Sequence, residues 1–141
     1  MATINRFEEI EAWQTARQLS RVVYSLTKQG SFAHDFGLRD QIRRAAVSIM
    51  SNIAEGFESR TQPLFVELLG RAKGSAGELR CQAYVALDVE YIGQSQFQQL
   101  FDLAEKCSRQ ISRFISYLLT HPDNQRVHED RVEYDSETFL G

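Results

Sequence analysis

Residues 41–56, QIRRAAVSIMSNIAEG, read as a helix whose polar residues keep to one narrow stripe. At about one hundred degrees per residue, Gln41, Arg44, Ser48, Ser51, Asn52 and Glu55 fall on one side. Leu38, Ile42, Ala45, Ala46, Ile49 and Ile53 face another way, and Val47, Met50 and Ala54 a third. A helix with two apolar sides needs two packing partners, and a chain this short supplies only one of them from its own core. Self-association is therefore the first expectation.

The 141 residues make one domain, large enough to bury a core without metal or disulfide staples. Only two prolines interrupt it, which suits long helices. The first stretch of helical periodicity runs from Phe7 to Lys28, with a stripe of Ile10, Trp13, Ala16, Leu19, Val23 and Leu26 and a stop at Gly30. The second spans Leu38 to Glu55 and Gly56 is read as its terminator. Thr61 caps a third, which carries Pro63 in its first turn and runs to Glu90. The fourth begins at Ser95, where SQFQ fits a capping box, and ends near Thr120, before Pro122. Its stripe of Leu100, Ala104, Cys107, Ile111, Phe114 and Leu118 alternates steps of four and three, as a bundle seam requires.

Short connections between long helices predict an elongated, all-α, up-down-up-down antiparallel four-helix bundle over residues 1–120. Residues 121–141 are read as a mobile acidic tail. They hold 2 Lys+Arg against 6 Asp+Glu, whereas residues 1–120 hold 14 against 13, so the tail supplies the net charge of −3. No apolar run is long enough to span a membrane and the start lacks a secretory signal, so the expected location is cytoplasmic.

Catalytic and metal-binding patterns are missing from the sequence. No histidine follows a glutamate by three residues, as a di-iron bundle would require, and GRAKGS at 70–75 lacks the ending and preceding strand of a phosphate loop. Asn52 and Glu55 read as a hydrogen-bonded pair within a helix rather than as acid and base. Cys81 and Cys107 read as two reduced, largely buried thiols. A non-enzyme without cofactor or metal is expected.

The third helix is unusual in placing Gly70, Gly74 and Gly77, each costing about 1 kcal/mol relative to alanine, opposite its core stripe of Phe65, Leu68, Ala72, Ala76, Leu79, Ala83 and Leu87. With Cys81 they form a smooth strip, which fits close packing inside the monomer, a second subunit, or the approach of a ligand or nucleic-acid chain. A membrane helix dimer is excluded by Arg71, Lys73 and Glu78. The expected oligomer interface is Val47, Met50, Ala54, Gly70, Gly74, Gly77 and Cys81. Arg39 and Arg43 share one side of the second helix, and Lys73 and Arg80 lie seven apart along one edge of the third. Either both edges line a common phosphate-attracting groove, multiplied by symmetry, or these cations pair with Glu55, Glu67 and Glu78.

Three segments, FEEIEAWQTARQL at 7–19, QIRRAAVSIMSNIAEG at 41–56 and GSAGELRCQAYVALDVEYI at 74–92, closely resemble the four-helix-bundle proteins encoded in intervening sequences of bacterial large-subunit ribosomal RNA genes. The resemblance covers nearly all of residues 7–119. It implies a ring-shaped homopentamer. Through a distant branch, the accessory variability determinants of diversity-generating retroelements, it also implies RNA or DNA binding through a basic surface and a reverse transcriptase as partner. The leading expectation is a non-catalytic RNA-binding accessory protein; the alternative is a helical scaffold that docks a partner protein without touching nucleic acid. Arg43 and Arg44 match the family's Arg-Arg pair, whereas Met50 replaces its usual proline, so no proline kink is expected there. The acidic tail exceeds the family core and reads as solubilising, or as a competitor of nucleic acid for a basic groove.

Overall fold

The computed structural model describes residues 2–121 and 132–134. Helices α1 (Glu11–Thr27), α2 (Phe36–Glu58), α3 (Gln62–Asp88) and α4 (Gln94–Leu119) form the bundle. Each packs on its neighbours in sequence, and α4 closes back on α1. With connections this short, consecutive helices must run antiparallel. The longest, α3, spans roughly 40 Å at the usual helical rise.

The apolar stripes meet along the axis. All six α4 positions from Leu100 to Leu118 are buried, as are Ile42, Ala45, Ala46, Ile49 and Ile53 of α2. In α1, Ala12 is fully enclosed while Trp13 and Leu26 are only partly buried. Trp13 meets Phe7 edge-on, with ring centroids 5.2 Å apart. Phe65 sits among Phe57 and Phe114 in edge-to-face contacts at 6.2 and 5.1 Å.

Several boundaries differ from the sequence expectation. Phe7–Glu9 is a short 3-10 turn and α1 starts only at Glu11, so Glu8 and Glu9 precede the helix. A second 3-10 turn, Gly30–His34, fills the loop, and Asp35 caps α2 by accepting from the Leu38 amide at 3.1 Å. Its other carboxylate oxygen accepts from the Tyr91 hydroxyl at 2.9 Å, tying the α1–α2 and α3–α4 connections together and raising the Tyr91 pKa above its ordinary value. Gly56 does not end α2. It is buried two residues before the end, where a Cβ would lie 2.7 Å from the Phe65 ring, so it is there for close helix packing. The helix also runs unbroken through Met50.

Thr61 caps α3 as expected, accepting from Leu64 at 3.3 Å. The far end closes two residues early by a Schellman arrangement: the Glu90 and Tyr91 amides donate to the carbonyls of Leu87 and Ala86, and Glu90 takes a φ of 64°. A glutamate holds the place usually given to glycine. The cap of α4 is Gly93, not Ser95, and the Gln96 side chain accepts from the Gly93 amide at 2.8 Å.

Outside the bundle, β1 (Ala2–Ile4) pairs antiparallel with β2 (Val132–Tyr134), with Ile4 opposite Val132. This places part of the acidic C-terminal segment beside the N-terminus, with Ile4 itself buried. Residues 122–131 and 135–141, the rest of the expected mobile tail, lie outside the described residues. Among the described residues no helix is long and apolar enough to cross a membrane.

Candidate nucleic-acid interface

The five cations singled out in the sequence do not share one groove within the protomer. Arg39 and Arg43 lie on the α1 side of α2, and both are committed to local structure. The Arg39 guanidinium donates to Asp40 at 2.9 Å and to the Ala33 carbonyl at 3.0 Å, and packs 4.7 Å from the Phe36 ring centre. The Asp40 carboxyl is held below its usual pKa by that Arg39 bond, with Arg44 and Arg43 adding to the effect. Arg43 donates to the Thr27 hydroxyl at 2.8 Å and lies 4.6 Å over Tyr24, pinning α2 to α1. Arg44 alone of this group is exposed. It stands on the outer face of α2 beside a shallow depression of about 800 Å³ that Gln41, Ser48, Ser51 and Glu78 also line.

Lys73 and Arg80 instead face α4. Arg80 lies along that helix with its guanidinium carbon 5.8 Å from the Phe101 ring centre. Its Nε is buried and has no hydrogen-bond partner among the described residues. Two turns away, Lys73 opens onto a groove of about 330 Å³ whose other walls are Ser108, Arg109, Ser112 and Arg113. Arg109 pairs with Glu105 at 3.0 Å on an exposed surface, a bond worth at most about 1 kcal/mol and readily exchanged. Among the described residues neither Lys73 nor Arg113 takes part in an ion pair. Three cations and two hydroxyls therefore line one concave seam between α3 and α4, and no acid is among its lining residues. Such a surface attracts phosphate oxygens, with side-chain hydroxyls to donate to them.

Arg109 and Arg113 escaped the sequence reading. Their spacing of four marks one face of α4, but an ordinary solvated helix face has the same spacing, and only the position of Lys73 across the seam makes them a cluster. Within the protomer, and among the described residues, Arg39, Arg43, Lys73 and Arg80 do not form the expected pairs with Glu55, Glu67 or Glu78, and Glu67 pairs instead with Arg71 at 3.3 Å. Asn52 donates to the Ser48 carbonyl at 2.8 Å and hydroxyl at 3.0 Å, rather than bonding Glu55, and Ser48 reaches Ser75 of α3 at 3.0 Å.

The residues expected at an oligomer interface divide into three groups. Val47 is 41% exposed on the outer face of α2, and Met50 and Ala54 are half-buried. On α3, a Cβ at Gly70 or Gly74 would have nothing within 4 Å, while one at Gly77 would lie 3.8 Å from the Arg80 guanidinium. Packing inside the protomer thus gives no reason for glycine at 70 or 74. Cys81, expected to be buried, is exposed on the same strip. Cys107 is enclosed, donates to the Ala12 carbonyl at 3.4 Å, and has its pKa pushed up to about 12 by burial. No group of three or more His, Cys, Asp or Glu side chains gathers among the described residues.

None of the curated proteins compared matches the chain. Among solved structures, a protein of unknown function from the S23 ribosomal protein family of Bacteroides thetaiotaomicron VPI-5482 superposes with a TM-score of 0.69 at 20% identity, over 74% of this chain and 95% of that one. It shares the fold. The model of the 23S rRNA-intervening sequence protein family matches residues 8–113, the whole of the bundle up to the last turns of α4, and the chain belongs to that family.

Proposed function

We propose that this chain is a non-catalytic, RNA-binding accessory protein that works as a ring-shaped homo-oligomer, a homopentamer by its family resemblance. The observation that carries the nucleic-acid half is the α3–α4 seam, with Lys73, Arg109 and Arg113 around Ser108 and Ser112. Symmetry would repeat that seam in every subunit, giving a protein of net charge −3 several local sites for phosphate. The family's name, which refers to the intervening sequence of 23S rRNA, supports an RNA-related role.

Replacing Lys73, Arg109 and Arg113 together by glutamine tests the reading. Binding of the parent protein to RNA weakens as salt rises, because each neutralised phosphate releases a counterion, with a slope of about −0.7 per contact on single strands. The triple variant is expected to lose affinity and to shed about two units of that log–log slope. Equal affinity and equal slope in filter binding would remove the seam from consideration.

The self-association half rests on outward residues that the protomer leaves open, Val47 of α2 and Gly70, Gly74 and Cys81 of α3. Maleimide labelling followed by intact mass gives a direct check. Cys107 stays unmodified in the folded chain, since its thiolate is scarce and enclosed. Cys81 is labelled in dilute protein and increasingly protected as concentration rises; protection that does not change with concentration would contradict burial between copies. The same residues also favour a second reading, a scaffold that docks a partner protein such as a reverse transcriptase without touching nucleic acid. Recovery of one protein from nuclease-treated lysate, with an RNA-blind seam, would select it.

A further inference from the structure

The cationic seam continues into an aromatic platform. Lys73, Arg80 and Tyr84 advance along α3 by seven and then four residues, so they keep to one edge of the helix over roughly 16 Å. Tyr84 is 50% exposed. Its ring rests against Phe97 at 4.8 Å and Phe101 at 6.2 Å, and Phe101 in turn carries the Arg80 guanidinium at 5.8 Å. Phe97 and Phe101 are themselves 5.7 Å apart. Tyr84 covers Phe97 and still leaves half of its surface open. The seam thus offers cations at one end and, past Arg80, an open aromatic surface at the other.

We propose that the α3–α4 seam recognises single-stranded rather than duplex RNA, stacking a base on Tyr84 while Arg80, Lys73, Arg109 and Arg113 follow the adjoining phosphates; this rests on the nucleic-acid reading above. In a duplex the base faces are already occupied by their neighbours, so Tyr84 has nothing to stack on, and only the phosphate contacts remain. A single strand presents both. Stacking on an aromatic side chain tolerates every base because each has a π-face, so the selectivity is for strand form rather than sequence.

The test uses the full chain and three fluorescein-labelled probes of equal length: an oligoadenylate, a blunt RNA duplex, and a strand of abasic residues with the same phosphates. Anisotropy titration is expected to show the oligoadenylate binding most tightly. Tyr84→Leu, which keeps apolar cover over Phe97, is expected to weaken oligoadenylate binding about tenfold, leaving duplex and abasic binding unchanged. Tyr84→Phe keeps the ring and is expected to bind like the parent, with circular dichroism melts confirming that both variants fold. Duplex binding as tight as single-strand binding, or an abasic strand that matches oligoadenylate, overturns the inference while sparing the broader reading. So does a Tyr84→Phe variant as weak as Tyr84→Leu, because the hydroxyl would then be responsible. Absence of salt-sensitive binding to all three probes sinks the nucleic-acid reading itself.

Discussion

Arginine in place of Gly74 is expected to hold the chain as a monomer in light scattering, at concentrations where the parent protein associates, while leaving its melting temperature equal or higher at dilutions where both are monomeric. The two halves of that result come from one fact. Among the described residues a Cβ at Gly74 meets nothing within 4 Å, so a side chain there leaves the strip toward solvent. Glycine in a helix interior costs about 1 kcal/mol relative to alanine, and arginine is nearly as good a helix former as alanine, so the fold itself gains. A neighbouring backbone seated on the strip would instead meet a long charged side chain at its point of closest approach. A protein that grows more stable and loses its partners separates a gain inside the fold from a loss between subunits. An unchanged mass for the variant would leave the glycine strip without a role in assembly.

Alanine at Gly56 is expected to lower the melting temperature by several degrees, whereas the same change at Gly70 raises it. Both substitutions add one methyl group and both gain about 1 kcal/mol of helix propensity. At Gly70 the methyl enters open space. At Gly56 it would stand 2.7 Å from Phe65 Cδ1, 3.2 Å from Cε1 and 3.3 Å from Leu68 Cβ. Phe65 has no easy retreat, because Phe57 and Phe114 hold it edge-to-face on either side. Overpacking of this kind costs typically about 1–3 kcal/mol, enough to outweigh the propensity gain. At roughly 4 °C per kcal/mol for a domain of this size, scanning calorimetry resolves the two signs. A Gly56→Ala protein that melts with or above the parent would show that the ring yields.

Those two glycines also show where the sequence stops being informative. Both sit in helical patterns, and position alone makes Gly56 look like a terminator and Gly70 like part of a close-packing strip. What distinguishes them is the phenylalanine delivered to Gly56 by the next helix, a tertiary contact that periodicity does not encode. The stripes were legible because burial repeats along a helix: Leu100 to Leu118 of α4 are enclosed as their spacing requires. The end of α3 was not, because Glu90 carries a positive φ that glycine usually signals. In the site, Lys73 and Arg80 fell on one edge as their spacing of seven requires. Arg43 looked equally free, yet Thr27 and Tyr24 hold it. Charge placement on a helix face can be read from one strand of sequence, but whether a cation is free depends on the helix opposite.

Pairing of Ala2–Ile4 with Val132–Tyr134 closes a loop around almost the whole polypeptide. The entropy of such a closure rises only slowly with length, so the finished ribbon bears a modest thermodynamic burden. Its timing is another matter. Contacts this distant along the chain become rewarding only once intervening segments have condensed. The little clasp is therefore the last thing to fasten, and it can fasten only when all four rods have delivered both ends to the same pole.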